Sequence, residues 1–403
     1  MSEKSRVYLD HAATTPVRPE VRAEINRMYE SFYGNPSTFY EEGHEVADML
    51  AQARADIAGV INADPSEIYF TSCGTESDNW ALKGTAFARQ KEGKHIITTK
   101  IEHHAILHTV EWLDKQGFEA TYLDVDADGL VDPEDLKAAL RDDTIIVSIM
   151  MANNEVGTIE PIKELAAITH TNSRAYFHCD AVQALGAIPI DVQDLGVDMM
   201  SFSGHKLYGP KGVGVMYLRR GKRVDNLLHG GAQERMRRGG TENIPLIVGF
   251  AKAAVLAKEE MPEESKRQIV MRDWLIQEIS KRIPYCKLNG HPTKRLPNNV
   301  NFSFEFIEGE SMLLLLDAEG YACSSGSACT SASLDPSHVL LAMGLPHEIA
   351  HGSLRITLGK DNTQEQLEGF VTSLENIVAR LREMSPLWSD FQEGRIKAAL
   401  INK

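Results

Sequence analysis

Cysteine is scarce in this chain, and the few cysteines present form no recognisable framework. The five cysteines are an odd number without a Cys-x-x-Cys pair, which excludes a disulfide scaffold and a zinc ribbon. The chain also lacks any run of about 18 apolar residues, so no membrane span is expected. The first residues lack the apolar core of a signal peptide, and we therefore expect a cytoplasmic protein.

Positive charge is also in deficit, because the formal net charge is −15. This acidic balance argues against a partner that is a nucleic acid or a membrane surface. Apolar residues make up 43% and charged residues 25% of the chain, which is ordinary for a globular enzyme. With 403 residues and no internal repeat, the chain is long enough for two domains in one compact unit.

Helical and strand patterns alternate through the first two thirds of the chain. The strand at 145–150 has no polar alternation, as expected of a strand that is covered on both faces. Helical segments separate most of the short strands. The pattern therefore predicts an α/β fold, in which helices flank a mostly parallel sheet.

The pattern changes after two predicted helices, 245–260 and 263–282. The segments that follow indicate a smaller α+β domain, in which one strand alternates with period two. We therefore assign 16–260 to a large domain and place 1–15 and 261–403 in a small domain.

An acid and a lysine follow two neighbouring predicted strands. Asp180 ends an apolar strand, and Lys206 lies in a polar turn directly after the next one. A lysine amine in such a turn can form a Schiff base, whereas an isolated lysine is most often solvated. An acid can hold the pyridine nitrogen of pyridoxal phosphate protonated while a lysine carries its aldehyde. The pair is the first indication of a pyridoxal phosphate enzyme.

Phosphate-binding groups are expected at the ends of the same strands. Gly74 and Thr75 link a strand to a helix, where backbone amides and a hydroxyl suit a phosphate. Ser203 and His205 add donors beside the lysine. His103, at the start of another helix, is placed either to stack on a cofactor ring or to remain on the surface.

Cys329 lies in a run of small polar residues, which predicts a mobile, exposed loop. A thiol kept on such a loop suggests a nucleophile that travels, although it is also consistent with an incidental loop cysteine. Cys73 and Cys179, at strand ends among apolar residues, are expected to be small core residues.

Two histidine pairs match metal-binding spacing. His347-Glu348-Ile349-Ala350-His351 has the H-E-x-x-H pattern of zinc proteases, but glycine and proline leave room for little more than one helical turn. His104 and His108 are spaced in the same way, and we expect them on a helix surface. No resident metal is therefore predicted.

Ordered motifs along nearly the whole chain match one family. They are Tyr8-Leu9-Asp10-His11-Ala12-Ala13-Thr14-Thr15-Pro16, Gly34-Asn35-Pro36-Ser37, Thr75-Glu76-Ser77-Asp78-Asn79, Asn153-Asn154-Glu155, Ser203-Gly204-His205-Lys206, Arg238-Gly239-Gly240-Thr241 and Ser324-Ser325-Gly326-Ser327-Ala328-Cys329-Thr330-Ser331. The chain resembles the NifS/IscS-type cysteine desulfurases, which are fold type I pyridoxal phosphate enzymes of the class-V aminotransferase family. The resemblance implies a large domain with a seven-stranded sheet and a smaller α+β domain.

The resemblance also implies a role for each matching residue. Lys206 would carry the cofactor, Cys329 the persulfide, and His103 would stack on the ring and shuttle a proton. The other implied cofactor contacts are Gly74, Thr75, Asn154, Asp180, Gln183, Ser203, His205 and, from a neighbouring subunit, Thr241. Arg355 and Asn35 would bind the substrate.

The implied activity converts L-cysteine to L-alanine and leaves a persulfide on Cys329. The sulfur would pass to an iron–sulfur scaffold of the IscU type or to another acceptor, and Cys329 would ligate a cluster there only transiently. A homodimer is implied. The alternatives are a selenocysteine lyase or another fold type I aminotransferase or lyase, in which Cys329 would be incidental. A sulfur-carrying scaffold with a structural cofactor is a further alternative.

Overall fold

A seven-stranded sheet forms the centre of the computed structural model, which describes residues 6–325 and 336–400. Strands β2 to β8 form this sheet, and the others belong to two smaller sheets. In chain order the strands are β1 (Val7–Tyr8), β2 (Ile68–Thr71), β3 (His95–Thr99), β4 (Glu119–Leu123), β5 (Thr144–Ser148), β6 (Tyr176–Asp180), β7 (Met199–Ser203), β8 (Gly214–Leu218), β9 (Cys286–Leu288), β10 (Asn299–Phe304), β11 (Tyr321–Ala322) and β12 (Ser353–Thr357).

Helices cover the sheet and build most of the remaining structure. They are α1 (Pro19–Ser31), α2 (Glu41–Ile61), α3 (Gly74–Arg89), α4 (His104–Asp114), α5 (Pro133–Ala139), α6 (Ile162–Asn172), α7 (Val192–Leu195), α8 (Gln233–Met236), α9 (Ile244–Arg282), α10 (Gly309–Ala318), α11 (His338–Ala342), α12 (His347–His351), α13 (Gln364–Glu383) and α14 (Pro386–Gln392). Two short 3₁₀ helices occupy Pro65–Glu67 and Gly204–Lys206.

The strand order of the large sheet is β2-β8-β7-β6-β5-β3-β4. Strands β7, β6, β5, β3 and β4 pair in parallel, whereas β8 runs antiparallel to both of its neighbours. The predicted α/β fold with a mostly parallel sheet is thereby confirmed. Because β2 runs in the same direction as the parallel strands, the carboxyl ends of β2, β5, β6 and β7 lie at one edge, where ligands bind in such folds.

The two largest apolar cores of the described residues lie around different sheets. The larger core contains Phe177, Phe202 and Phe250 and packs around the large sheet. The smaller core contains Leu275 and Phe302 and lies around the three-stranded antiparallel sheet β12-β10-β9. The domain limits 16–260, with 1–15 and 261–403, stay a prediction, although the N-terminal β1 does pair with β11 near the smaller core.

A single helix joins the two cores, so the prediction of separate helices at 245–260 and 263–282 is wrong. Helix α9 is 39 residues long and continues through Pro262. Its first half contributes Phe250 to the larger core, and its second half contributes Leu275 to the smaller one. Proline removes one backbone N–H, but Pro262 is exposed, so water can bind the carbonyl left without a partner. Packing at both ends therefore outweighs the local cost.

The polar face of β10 is buried although its sequence alternates with period two. All six residues are buried. Asn299 and Asn301 donate side-chain hydrogen bonds to the carbonyl oxygen of Glu155, at 3.2 and 3.1 Å. Asn289 in turn donates to Asn301 at 2.8 Å and to Ser303 at 2.9 Å. The polar side chains of this strand therefore attach the three-stranded sheet to the segment that follows β5.

The C-terminal segment docks on the same chain. Trp388 and Phe391 of α14 pack against Tyr285 and Phe306, with ring centroids 5.0–5.7 Å apart. Helices long and apolar enough to cross a membrane are absent from residues 6–325 and 336–400.

Candidate active site

A cavity of about 330 Å³ opens at the carboxyl ends of the central strands. Its volume lies within the range of small-molecule sites, about 300–1,000 Å³. Most of the predicted site residues line it: Gly74, Thr75, His103, Asn154, Asp180, Gln183, Ser203, His205, Lys206 and Arg355. The structure therefore brings together residues from six separate stretches of the sequence.

Lys206 ends the 3₁₀ helix that follows β7, and an N-terminal segment holds its amine. Lys206 Nζ donates to the carbonyl oxygens of Ala12, at 2.5 Å, and Ala13, at 2.8 Å. The neighbouring His205 Nδ1 lies 3.1 Å from the hydroxyl of Thr14. Gln183, which lies in a turn after β6, also donates to Ala12 O, at 3.1 Å. One N-terminal turn and the residue after it thus orient three of the predicted cofactor contacts.

The start of α3 supplies donors for a phosphate. The first N–H groups of a helix have no partner within the helix, and the positive end of its dipole favours an anion. A Cβ on Gly74 would lie 2.8 Å from Cγ2 of Val182, so only glycine fits there without displacing a neighbour. Ser203 lies close by, since the same added Cβ would be 3.6 Å from the Ser203 Cβ.

Two carboxyl groups lie buried in the cavity wall. Asp180 accepts from the backbone N–H of Val182 at 2.9 Å. Burial raises the pKa of Asp180 to about 6, although the Val182 hydrogen bond and the charge of Lys206 act in the opposite direction. Burial and the charge of Asp180 raise the pKa of Asp78 well above its usual range. Two buried carboxyl groups whose charges repel each other resist being ionised at the same time.

His103 caps α4 with its own ring. The ring Nδ1 accepts from the backbone N–H of Ala105 at 3.1 Å, so the neutral imidazole carries its proton on Nε2. Burial, followed by the charge of Lys206, lowers the pKa of His103 to about 4. The ring is therefore neutral near neutral pH, and it can present an N–H to the cavity.

Arg355 in β12 places a buried guanidinium at the opposite wall. Its Nη1 donates to Asn154 O at 3.0 Å, and its Nη2 donates to Asp10 Oδ1 at 2.9 Å. Only 2% of the residue is exposed, and Nε is buried without a hydrogen-bond partner. A guanidinium held in this way still has donors for a carboxylate ligand.

Three predicted site residues are not among those that line the cavity. Asn35 is exposed, and its side chain accepts from the backbone N–H of Ser37 at 2.9 Å. Thr241 follows Arg238, which pairs with Glu76 of α3 at 2.8 Å. Cys329 lies outside the described residues.

Another thiol, that of Cys323, directly precedes the Ser324–Ser331 motif. Cys323 packs beside the smaller core, and burial together with the charge of Asp10 raises its pKa above the usual range. A thiol in this environment is a poor nucleophile, because the thiolate form is disfavoured.

Four side chains in the cavity wall were missed or misplaced by sequence reasoning. His104 was expected on a helix surface, but it is half-buried and lines the cavity, as do His338 and Asp78. Cys73 also lines the cavity and is not a core residue. The match to the Thr75–Asn79 motif already contained Asp78, whereas nothing in the sequence connects His338 with this site.

The H-E-x-x-H segment forms α12, where the rings of His347 and His351 are 4.7 Å apart. In the part of the chain that the structure describes, no group of three or more His, Cys, Asp or Glu side chains is arranged to hold a metal ion.

The donor set of the cavity fits pyridoxal phosphate. A lysine amine, a buried acid and the start of a long helix border one space, and Arg355 keeps a buried N–H that has no partner. These are the partners that an aldehyde, a pyridine nitrogen, a phosphate and an amino-acid carboxylate require.

Known proteins similar to this chain agree with this chemistry. Residues 7–370 match the model of the family described as aminotransferase class-V. The chain is 57% identical over 387 residues to "Cysteine desulfurase IscS" of Methanosarcina thermophila, covering 96% of this chain and 95% of that protein. It is 53% identical over 392 residues to "Cysteine desulfurase IscS" of Clostridium botulinum, covering 97% and 98%.

A solved structure described as a NifS-like protein has the same architecture. It superposes with a TM-score of 0.88 at 41% identity, covering 93% of this chain and all of that one. The family match extends over most of the chain, and the relatives agree along nearly their whole length. The chain therefore belongs to the class-V aminotransferase family of pyridoxal phosphate-dependent enzymes, within which it is similar to the cysteine desulfurases.

Proposed function

We propose that this chain removes sulfur from L-cysteine, leaving L-alanine, and carries the sulfur as a persulfide on Cys329 to an acceptor. The observation that carries this proposal is the convergence of Lys206, Asp180, His103 and Arg355 on one cavity. The names of the relatives support the same activity.

Pyridoxal phosphate, when bound, supplies an aldehyde for amine exchange and a ring that withdraws electrons from the substrate carbon. Lys206 would hold the aldehyde, and the start of α3 with Ser203 and His205 would hold the phosphate. Gln183 and Asn154 would lie beside the ring, and His103 would stack on it.

Asp180 supplies the negative charge that a pyridinium needs. Its carboxyl is buried, so a charge there acts through a medium that screens it poorly. A positive ring nitrogen favours the ionised carboxylate, and the carboxylate in turn holds the proton on that nitrogen. Asp180 would therefore keep the pyridine nitrogen of the cofactor protonated, so that the ring continues to withdraw electrons.

Arg355 would bind the carboxylate of the substrate. Asp10 and the Asn154 carbonyl orient its guanidinium plane before any ligand arrives. Such preorganisation lowers the entropy cost of binding and fixes where the substrate side chain points. Asn35 is proposed to assist from nearby.

The two ends of the segment that contains Cys329 support its role. Ser324 pairs with the backbone of Arg355, whose N–H donates to Ser324 O at 2.7 Å. The Ser337 hydroxyl donates to Glu155, which also lines the cavity. The described ends of this segment therefore both bond to residues that line the cavity.

A second copy of the chain is proposed to complete the site with its Thr241. Large aromatic side chains lie exposed around the end of α1 and the start of α2: Tyr29, Tyr33, Phe39 and Tyr40. An exposed apolar group of this size is typical of an interface. The sulfur acceptor is proposed to be an iron–sulfur scaffold of the IscU type or another sulfur acceptor. The cytoplasmic location stays a prediction.

Persulfide mapping tests the proposed function. The purified protein with L-cysteine should form alanine, and peptide mapping after persulfide labelling should place the label on Cys329. Cys323→Ser is the matched control and should keep the label, whereas Cys329→Ser should lose it. Full alanine formation by Cys329→Ser without added thiol would refute the proposal and leave another lyase activity.

A further inference from the structure

Three imidazole rings share one wall of the cavity, and only His103 has a role in the proposed reaction. His104 lies next to it, with ring centroids 6.3 Å apart, and the ring of His338 lies 4.8 Å beyond His104. All three residues line the cavity. His108 stacks on the other face of His104 at 4.8 Å but is exposed and does not line it.

Hydrogen bonds decide which nitrogen each ring can use. The lone pair of His103 on Nδ1 is engaged by the N–H of Ala105, so its neutral ring offers only the Nε2 proton. In His338 the other nitrogen is engaged, because Nε2 lies 3.0 Å from the carbonyl oxygen of Glu102. A carbonyl only accepts, so Nε2 of His338 carries the proton and Nδ1 carries the lone pair.

We propose that His338 is the base that accepts the proton of the substrate thiol, while His103 acts as a proton donor. In this step the S–H bond breaks, an N–H bond forms on Nδ1 of His338, and the electron pair stays on sulfur. Over the whole reaction two thiol hydrogens enter, from the substrate and from Cys329. One ends on the methyl carbon of alanine and one on the persulfide, so no outside oxidant or reductant is needed.

The position of His338 connects it to the proposed substrate clamp. Its neighbour Ser337 bonds to Glu155, and the carbonyl of the adjacent Asn154 accepts from Arg355. The base and the carboxylate clamp are thus attached to consecutive residues of one buried turn. When Arg355 holds the carboxylate of a bound cysteine, the thiol is the only acidic group of the side chain from which His338 can accept a proton.

The buried groups around His338 add no full charge beside it. The side chain of Glu102 is buried and its pKa is raised well above the usual range, so it adds no full negative charge. Burial, then His338 and His108, lower the pKa of His104, which is therefore neutral as well. His103 has a pKa of about 4 and its lone pair is already bonded, so it is the poorer base of the wall.

A comparison of L-cysteine with L-selenocysteine tests the inference, which rests on the proposed function. A selenol is more acidic than a thiol and is already ionised near neutral pH, so it needs no base. In the holoenzyme, His338→Gln keeps a donor for Glu102 but removes the lone pair. The rate of alanine formation from cysteine should fall about 10²–10⁴-fold. The rate from selenocysteine should stay within about threefold.

His108→Gln is the matched control, because it removes the outer ring of the same stack. It should leave both rates near those of the wild type. The cysteine rate of His338→Gln should recover as the pH approaches the pKa of a free thiol, about 8.5. An equal loss on both substrates, without recovery at alkaline pH, would overturn the inference while leaving the proposed function intact.

Nitrogen NMR of the histidine-labelled protein gives a readout that does not depend on turnover. Nδ1 of His338 should have the shift of an unprotonated nitrogen, and the shift should change when cysteine is added but not when alanine is added. A protonated Nδ1 in the free protein would refute the assignment. A wild-type protein that makes no alanine from cysteine would instead refute the proposed function, and the inference about His338 with it.

Discussion

Replacing Arg355 by lysine tests the proposed substrate clamp with the least disturbance of charge. The guanidinium is buried and donates to Asn154 O and Asp10 Oδ1. Lysine keeps the positive charge for the partner Asp10, but its compact ammonium cannot make the planar, two-pronged contact with a carboxylate. The variant should therefore fold and bind the cofactor, yet bind cysteine weakly.

The expected magnitude follows from the donors that are lost. A hydrogen bond to a charged group contributes about 1.5–3 kcal/mol. Losing one of two such bonds to the substrate carboxylate should raise the apparent KM about tenfold to hundredfold, because each 1.4 kcal/mol is about a factor of ten. The kcat should change less, since Lys206, His103 and Asp180 are untouched.

Cysteamine, which has no carboxylate, provides the internal comparison. Its apparent affinity, followed by the visible absorption of the cofactor, should be the same in wild type and Arg355→Lys. Arg295→Lys is the matched control, because Arg295 is also buried in this part of the chain and donates to the carbonyl oxygens of Val156 and Asn299. It should lower the thermal midpoint without raising KM. An unchanged KM for cysteine in Arg355→Lys would place the clamp elsewhere.

Three further outcomes are expected. Lys206→Ala should lose the visible band of the bound cofactor that borohydride removes, whereas Lys211→Ala should keep it; a reducible band in Lys206→Ala would mean that another lysine carries the cofactor. Asp180→Asn should keep the cofactor but slow alanine formation about 10²–10³-fold, since a neutral amide holds no pyridinium charge, and wild-type turnover would contradict this. Burial raises the pKa of Glu160 from 4.5 to about 8, so the folded state retains a proton that the unfolded state loses, and stability should fall as pH rises through this window. Glu160→Gln should flatten the fall of the thermal midpoint with pH, and equal slopes would refute the assignment.

Local patterns predicted most of the elements that position the site. The strand expected at 145–150 matches β5 (Thr144–Ser148) within two residues at each end, because an uninterrupted apolar run is a local property. Helix α9 was not expected in one piece, because the packing that carries it through Pro262 comes from two distant cores.

The residue identities of the site were likewise visible in the sequence, but their environments were not. Asp180, Lys206 and Arg355 were recognised from their motifs and strand ends. The raised pKa of Asp180 follows from burial and from its neighbours, which no motif contains. The same holds for Cys73 and His104, which were expected in the core and on the surface.

The sequence by itself determined the chemistry that this protein can perform, since the lysine, the acid, the phosphate-binding turn and the thiol are each local motifs. Only the tertiary structure decided which side chain takes which part in that chemistry. Asp10 reaches Arg355 across most of the chain, and His338 meets His104 and the Glu102 carbonyl in the same way. Which nitrogen of a histidine carries a proton depends on the group that faces it, and that group arrives only when the chain has folded.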